Sequence, residues 1–225
     1  VYAGQATPAN QLLQQGAAGF DPARAPRTGR DPAAANALLD RFGYDKRGAD
    51  GMRLAPDGKP LVLTLSTFSG TQWREMQTLW KQDMAAIGLK MEFRSLPPTD
   101  LFRESAQGKF QLTALGRGSS PTGLELITLH SRQPPDTNVT RFNHEGYDRA
   151  LAQFMRAGTE PERLASTRGR NDIVDQYVPI LPMVVELESA FVQPWVMGFR
   201  GSPYVTYYFQ YLDLDVGKQK AAGKR

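Results

Sequence analysis

The feature that most constrains the fold is a change of period that repeats between Leu61 and Leu115. Leu61–Leu65 reads as a short apolar strand. Beyond Thr71, the apolar residues Trp73, Met76, Trp80, Met84 and Ile87 recur at helical spacing, with Thr71 as the expected cap and Gly88 as the stop. Leu89, Met91 and Phe93 then alternate with Lys90, Glu92 and Arg94, the period-two pattern of a strand with one wet face. A short helix over Thr99–Gln107 ends at Gly108, and Phe110–Leu115 returns as a strand. Strand–helix–strand–helix–strand is the signature of an α/β layer with parallel pairing, because parallel neighbours need a crossover and a helix supplies it.

The flanking segments are more helical. Residues 1–30 are rich in Gly, Ala, Gln and Pro without a period, and are expected as an extended, irregular lead-in. Asp31 can cap a helix that has Pro32 in its first turn. Ala35, Leu38, Leu39 and Phe42 follow on one face, with Gly43 as the stop. After a turn-rich stretch and the α/β run, Leu124 and Ile127 suggest a short helix, and 131–141 a loop. Tyr147, Leu151 and Phe154 mark another helical face. Thr159 and Glu162 form a capping box for a helix to about Tyr177, which Pro179 stops. Ile180–Leu187 and the stretch through Trp195 read as strands or extended hinge segments.

Several function classes are excluded by composition. The absence of cysteine removes thiol nucleophiles, disulfides and thiolate metal sites, and suits an oxidising compartment. The net charge is +4, yet Lys218, Lys220, Lys224 and Arg225 all lie in the last ten residues, where no acid stands. Residues 1–215 are therefore neutral overall, which argues against a nucleic-acid partner, since that needs a clustered basic face. The tail, 216–225, is expected to be disordered. No apolar run approaches the roughly 20 residues of a membrane span.

Catalytic motifs are scarce. His130 and His144 lie in or beside loops with no companion at ligand spacing, so no metal and no cofactor is assigned. Asp45–Gly51 fails as a calcium loop because Arg47, Ala49 and Pro56 occupy ligand positions. Gly116-Arg117-Gly118 begins like a dinucleotide fingerprint, but Pro121 stands where the third glycine belongs. Asn138-Val139-Thr140 is a glycosylation sequon by pattern alone. Glu186 and Glu188 would share one face of a strand. Without a partner base or nucleophile they read as a solvated face, and no catalytic residue is assigned.

What remains informative is an ordered set of architectural matches. Asp31-Pro32 through Ala35, Leu38-Leu39 and Phe42-Gly43-Tyr44 is followed by Asp50-Gly51, Arg53 and Pro56-Asp57-Gly58-Lys59-Pro60-Leu61. Next come Met84-Ala85-Ala86-Ile87-Gly88-Leu89, Phe142-Asn143 through Tyr147-Asp148, Ile180-Leu181-Pro182, and Gln193-Pro194-Trp195-Val196 with Gly198-Phe199. In this order the set resembles the peptide-type family of ABC-transporter substrate-binding proteins, extracellular solute-binding family 5. The resemblance implies an α/β lobe like the C-terminal lobe of type II, cluster C periplasmic binding proteins, with a mixed sheet flanked by helices. On that reading, 31–200 is the ligand-binding lobe and 201–215 a closing segment that returns to a first lobe. It implies a periplasmic, non-enzymatic protein that holds a peptide-like or other small solute and hands it to an ABC permease in the inner membrane.

Ligands of open α/β sheets sit beyond the carboxyl ends of strands. Here those ends are Ser66–Gly70 and Gly116–Ser120. The candidate ligand-binding residues are therefore Thr67, Phe68, Ser69, Trp73, Arg117, Ser119 and Ser120, with Trp73 facing either the cleft or the core. Peptide binders of the family often carry an Asp in the second of these loops to pair with an α-ammonium group. This loop has Arg117 and no acid, which predicts a ligand other than an ordinary free-amino peptide, or one anchored from the first lobe. A rival reading is an assembly module that uses the aromatic stretch Tyr204, Tyr207, Tyr208, Phe209 and Tyr211 as its contact surface.

Overall fold

The computed structural model describes residues 1–25, 29–116, 118, 120–187, 189–201 and 208–222. Its elements run β1 (Ala6–Pro8), α1 (Pro32–Arg41), β2 (Val62–Phe68), α2 (Thr71–Ala86), β3 (Lys90–Leu96), α3 (Pro98–Ala106) and β4 (Leu112–Thr113). A 3-10 helix, Leu124–Leu129, leads into α4 (Glu145–Arg156) and α5 (Glu160–Tyr177). Then come β5 (Val184–Glu186), β6 (Val196–Met197), a 3-10 turn at Tyr208–Tyr211, β7 (Asp213–Leu214) and α6 (Val216–Ala222).

The expected α/β layer is present. Its sheet has the order β3-β2-β4, and both pairings are parallel. Reversal of direction at β3 places the two crossover helices on opposite faces when both connections are right-handed. Side chains agree: Gln77 of α2 donates to Thr67 and Ser95, which sit side by side on one face. Ser105 of α3 meets Thr113, the neighbour of Ser66 on the other face. β2 runs three residues further than the pattern suggests, so Ser66, Thr67 and Phe68 belong to the strand. β4, by contrast, is only two residues long.

Most helix signals map directly. The Asp31 carboxylate accepts from Ala34 N at 2.9 Å, and the Thr159–Glu162 capping box is formed at the start of α5. Trp73, Trp80, Met84 and Ile87 are half-buried around the buried Met76. Thr71, however, is the first helical residue and Gly70 occupies the cap, at φ 140°, a region that favours glycine. Arg53 explains its place among the architectural matches. Only 1% exposed, it donates to Asp40 and Asn36 of α1 at 2.5 Å each, to Ile87 O at 2.8 Å and to Tyr44 O. It staples α1, the turn region and the end of α2 together.

Two expectations are corrected. The lead-in is not irregular throughout: β1 pairs antiparallel with β5, and Leu13 and Ala17 lie in the main core. Its anchors are polar and widely spaced, which is why no period shows them. Gln11 and Asp21 are buried and exchange side-chain to backbone bonds, and Arg168 of α5 pairs with Asp21 at 2.8 Å. The second correction concerns the basic tail, which is helical through Ala222. Asp215 accepts from Lys218 N at 3.0 Å as its cap, a signal outweighed in the sequence by the lysines. Residues 223–225 lie outside the described set.

The contiguous core joins the lead-in to the second half: Leu13, Ala17, Leu126, Leu129, Tyr147, Leu151, Phe154 and Val174. Tyr147, Leu151 and Phe154, the stripe read from α4, are all buried in it. No helix is long and apolar enough to cross a membrane, among the described residues.

Candidate functional site

An open cavity of about 580 Å³ lies beyond β4. One wall is α3, which contributes Phe102, Ser105 and Ala106. The 3-10 helix contributes Glu125, Ile127 and Thr128, the later loop Asp136, Thr137 and Val139, and the segment after β4 Leu115, Gly116, Gly118 and Ser120. The location is the one that the strand-end rule selects. Each side mixes chemistries, with apolar Phe102, Leu115, Ile127 and Val139 interspersed among hydroxyls and the carboxylates of Glu125 and Asp136. An apolar pocket with a few directed polar groups is the general form of a small-molecule site.

Of the predicted ligand-binding residues, Ser120 lines this cavity. Its backbone N–H and hydroxyl both donate to Glu125, at 3.2 and 2.9 Å. Phe68 is half-buried one layer back, with its ring 5.7 Å from Phe102 and 5.5 Å from Trp73. Trp73 is half-buried against Phe68, between core and surface. Ser69 is exposed, and its N–H donates to Leu96 O. Thr67 is 1% exposed, and its hydroxyl accepts from Gln77 at 2.6 Å. It stands inside the α2–sheet interface, not at the cleft, because β2 continues through it. Arg117 and Ser119 lie outside the described residues.

Phe102, Glu125, Asp136 and Thr137 were missed by sequence reasoning. A weak sequence signal existed for Phe102, the second of two adjacent apolar residues on a short helix, which cannot both face the sheet; it is 51% exposed beside the buried Leu101. Nothing local marked the others, since the chain folds back to bring 125 and 136 to the loop at 116–120. The loop itself has no acid, as read from the sequence, but the cavity is lined by two carboxylates from elsewhere, Glu125 and Asp136.

The 3-10 helix beside the cavity is tied to α4. The Tyr147 hydroxyl donates to Leu126 O at 2.9 Å. Burial pushes the Tyr147 phenol up to about 12, so it stays a neutral donor at any ordinary pH. His144, to which no metal role was assigned, caps α4: its Nδ1 accepts from Tyr147 N at 3.2 Å. His130 Nδ1 accepts from Arg132 N at 3.0 Å. Asn138, the sequon residue, is buried and engages His130 O, Phe142 and Thr140. Its side chain organises the 131–141 loop. Glu186 is in β5, and Glu188 lies outside the described residues.

Comparison with known proteins fixes the lineage. Residues 1–128, more than half of the chain, match the family described as "Bacterial extracellular solute-binding proteins, family 5 Middle". The chain belongs to this family. Among curated relatives, Di/tripeptide-binding protein 2 of Pseudomonas aeruginosa (strain UCBPP-PA14) is 25% identical over 191 residues, covering 82% of this chain and 34% of that protein. Periplasmic murein peptide-binding protein MppA of Escherichia coli (strain K12) is 25% identical over 176 residues, which is 74% of this chain and 29% of MppA. The chain thus spans about a third of the length of these relatives. The solved structure of MppA superimposes with a TM-score of 0.70 at 24% identity, over 86% of this chain and 37% of that one. Bacillus subtilis AppA, solved in complex with a nonapeptide, gives 0.76 at 16% identity, over 94% and 43%. The α/β fold is that of type II periplasmic binding proteins.

Proposed function

We propose that this chain is the C-terminal ligand-binding lobe of the substrate-binding component of an ABC importer. It works in the periplasm or another extracytoplasmic space, catalyses no reaction, and passes a small solute to an inner-membrane permease. The observation that carries this reading is the cavity beyond the parallel sheet, in a chain of family 5. The relatives' names refer to peptides, and a peptide-like solute suits a cleft lined by both apolar and polar side chains. Phe102 would cover the apolar part of the solute, backed by Phe68 and Trp73, while Ser120 and Glu125 face its polar groups. Arg117 and Ser119 share the Ser120 loop and are proposed contacts, and Ser69 is proposed at the rim. Thr67 has a supporting role behind them. Residues 201–215 are the proposed closing segment toward a first lobe; Phe209 and Tyr211, each more than half exposed, are apolar surface such a return would cover.

In the cell, two lobes would close on the solute and exclude water, which strengthens every polar contact inside. The test is to express the full-length protein, identify by native mass spectrometry what co-purifies, and titrate tri-alanine and its N-acetylated form by calorimetry. Phe102→Ala is expected to weaken binding of the identified solute about tenfold, from loss of aromatic contact area. A full-length protein that carries and binds no solute would overturn the reading.

A further inference from the structure

The segment 134–139 gives Asp136, Thr137 and Val139 to the cavity without belonging to a helix or strand, so no regular ladder holds it. Thr137 N and Asn138 N both donate to Pro134 O, at 3.0 and 2.9 Å, which rounds a turn. The buried Asn138 side chain braces that turn from within, through His130 O, Phe142 and Thr140. All of these bonds stay between residues 130 and 142. They fix the shape of the loop but not its place beside α3, which gives Phe102, Ser105 and Ala106 to the same cavity.

Arg141 reaches outside the loop. Its Nη1 donates to Pro135 O at 2.7 Å, to Asn138 O at 3.0 Å and to Val139 O at 3.3 Å, while its Nη2 donates to Ala106 O at 2.6 Å. Ala106 is the last residue of α3, where helix carbonyls have no partner in their own ladder. The helix dipole also favours a cation at that end. Ala106 and Val139 both line the cavity, so one planar guanidinium joins two parts of its lining. The backbone of Arg141 sits at φ 56°, a left-handed conformation that suits Gly or Asn better than a long side chain. No conformational preference places an arginine there; what it contributes is the carbonyls it engages.

We infer that Arg141 is a positioning residue for the cavity. By clamping the 134–139 loop to the end of α3, it sets where Asp136, Thr137 and Val139 stand relative to Phe102, Ser105 and Ala106. Its effect on solute binding rests on the proposed function, whereas the clamp itself needs no solute to be measured.

The experiment is hydrogen exchange by mass spectrometry on the full-length protein without added solute, with urea midpoints and calorimetric titration of tri-alanine in parallel. Arg141→Asn keeps a residue that tolerates the left-handed backbone and removes the reach to Ala106. Amides of residues 137–142 and 107–109 are expected to exchange about tenfold faster, the scale of losing a hydrogen bond to a charged group. Rates in α4 and α5 and the urea midpoint should move little. Tri-alanine affinity should fall about fivefold, because binding must then order the loop. Arg141→Lys keeps the charge without the planar fork and should recover little of either loss. Wild-type loop rates in Arg141→Asn would overturn the inference. So would full recovery by Arg141→Lys, which would reduce Arg141 to a charge at a helix end. A loosened loop with unchanged tri-alanine affinity would confine the residue to loop folding and overturn its role in the cavity. Loosening that spreads through α4 and α5 with a fallen midpoint would mark a merely structural arginine, and would overturn it too. If Arg141→Asn does not fold, Arg141→Lys decides by the same measure: faster loop exchange supports the inference and wild-type rates overturn it. The functional reading fails separately, if the loop loosens as described yet the wild type binds neither tri-alanine nor any co-purified solute.

Discussion

The two halves of the molecule are held together in different ways. In the helical half, α4, α5, the 3-10 helix and the lead-in converge on one contiguous apolar core. The sheet half, residues 31–116, has fewer and more scattered buried apolar residues: Leu65, Met76, Leu89, Met91 and Leu101. Its α1 buries no residue at all, leaving Leu38 55% and Phe42 69% exposed. What ties α1 to the rest is the Arg53 staple, a directional polar device. The cavity lies where the halves meet, with α3 on one side and the 3-10 helix on the other.

The largest expected effect breaks the self-sufficient half. Phe154→Ala removes a buried ring that touches Arg170, Gly19 and Gly123, and should cost about 3–5 kcal/mol in urea unfolding. A loss below 1 kcal/mol would mean that this core is not what stabilises the helical half. Next is Arg53→Met, which leaves Ile87 O and Tyr44 O without their donor. It should cost about 2–3 kcal/mol. Hydrogen exchange should rise in α1 and at the end of α2 while α4 and α5 remain protected; uniform loss of protection would erase the contrast between the halves.

The smallest effect sharpens the boundary, because it concerns whether the lead-in belongs to the helical half. The Arg168 hydrogen bond holds the Asp21 carboxyl below its usual range, against the opposing effect of burial. A depressed folded value contributes stability that is complete above the unfolded value near 3.8 and is lost as pH falls through the folded one. The urea midpoint of the wild type should therefore drop on acidification through that window. Asp21→Asn should flatten the part of the drop due to Asp21, and identical acid limbs in the two proteins would show that the pairing does not stabilise the fold.

The elements were largely legible because their causes are local. Asp31 caps its own helix, Thr159 and Glu162 satisfy donors three residues apart, and the stripes of α2 and α4 repeat at 3.6 residues whatever lies opposite. The site was legible in place but hardly in membership. That Ser120 lines the cavity could be anticipated because strand ends can be read; that Phe102, Glu125 and Asp136 line it too could not, because their meeting depends on the chain returning across α3. Thr67 was misplaced by a strand boundary, since three more residues of pairing with β3 carry it under Gln77.

The sequence by itself determined the α/β order, the helix ends and the family, through local hydrogen-bond demands and the periodicity of apolar residues. Only the tertiary structure decided that a patternless lead-in completes the core, that carboxylates line the cavity although the 116–120 loop has none, and that an arginine is buried over Phe154. Those facts depend on contacts between residues far apart in the chain, and such contacts leave no period to read.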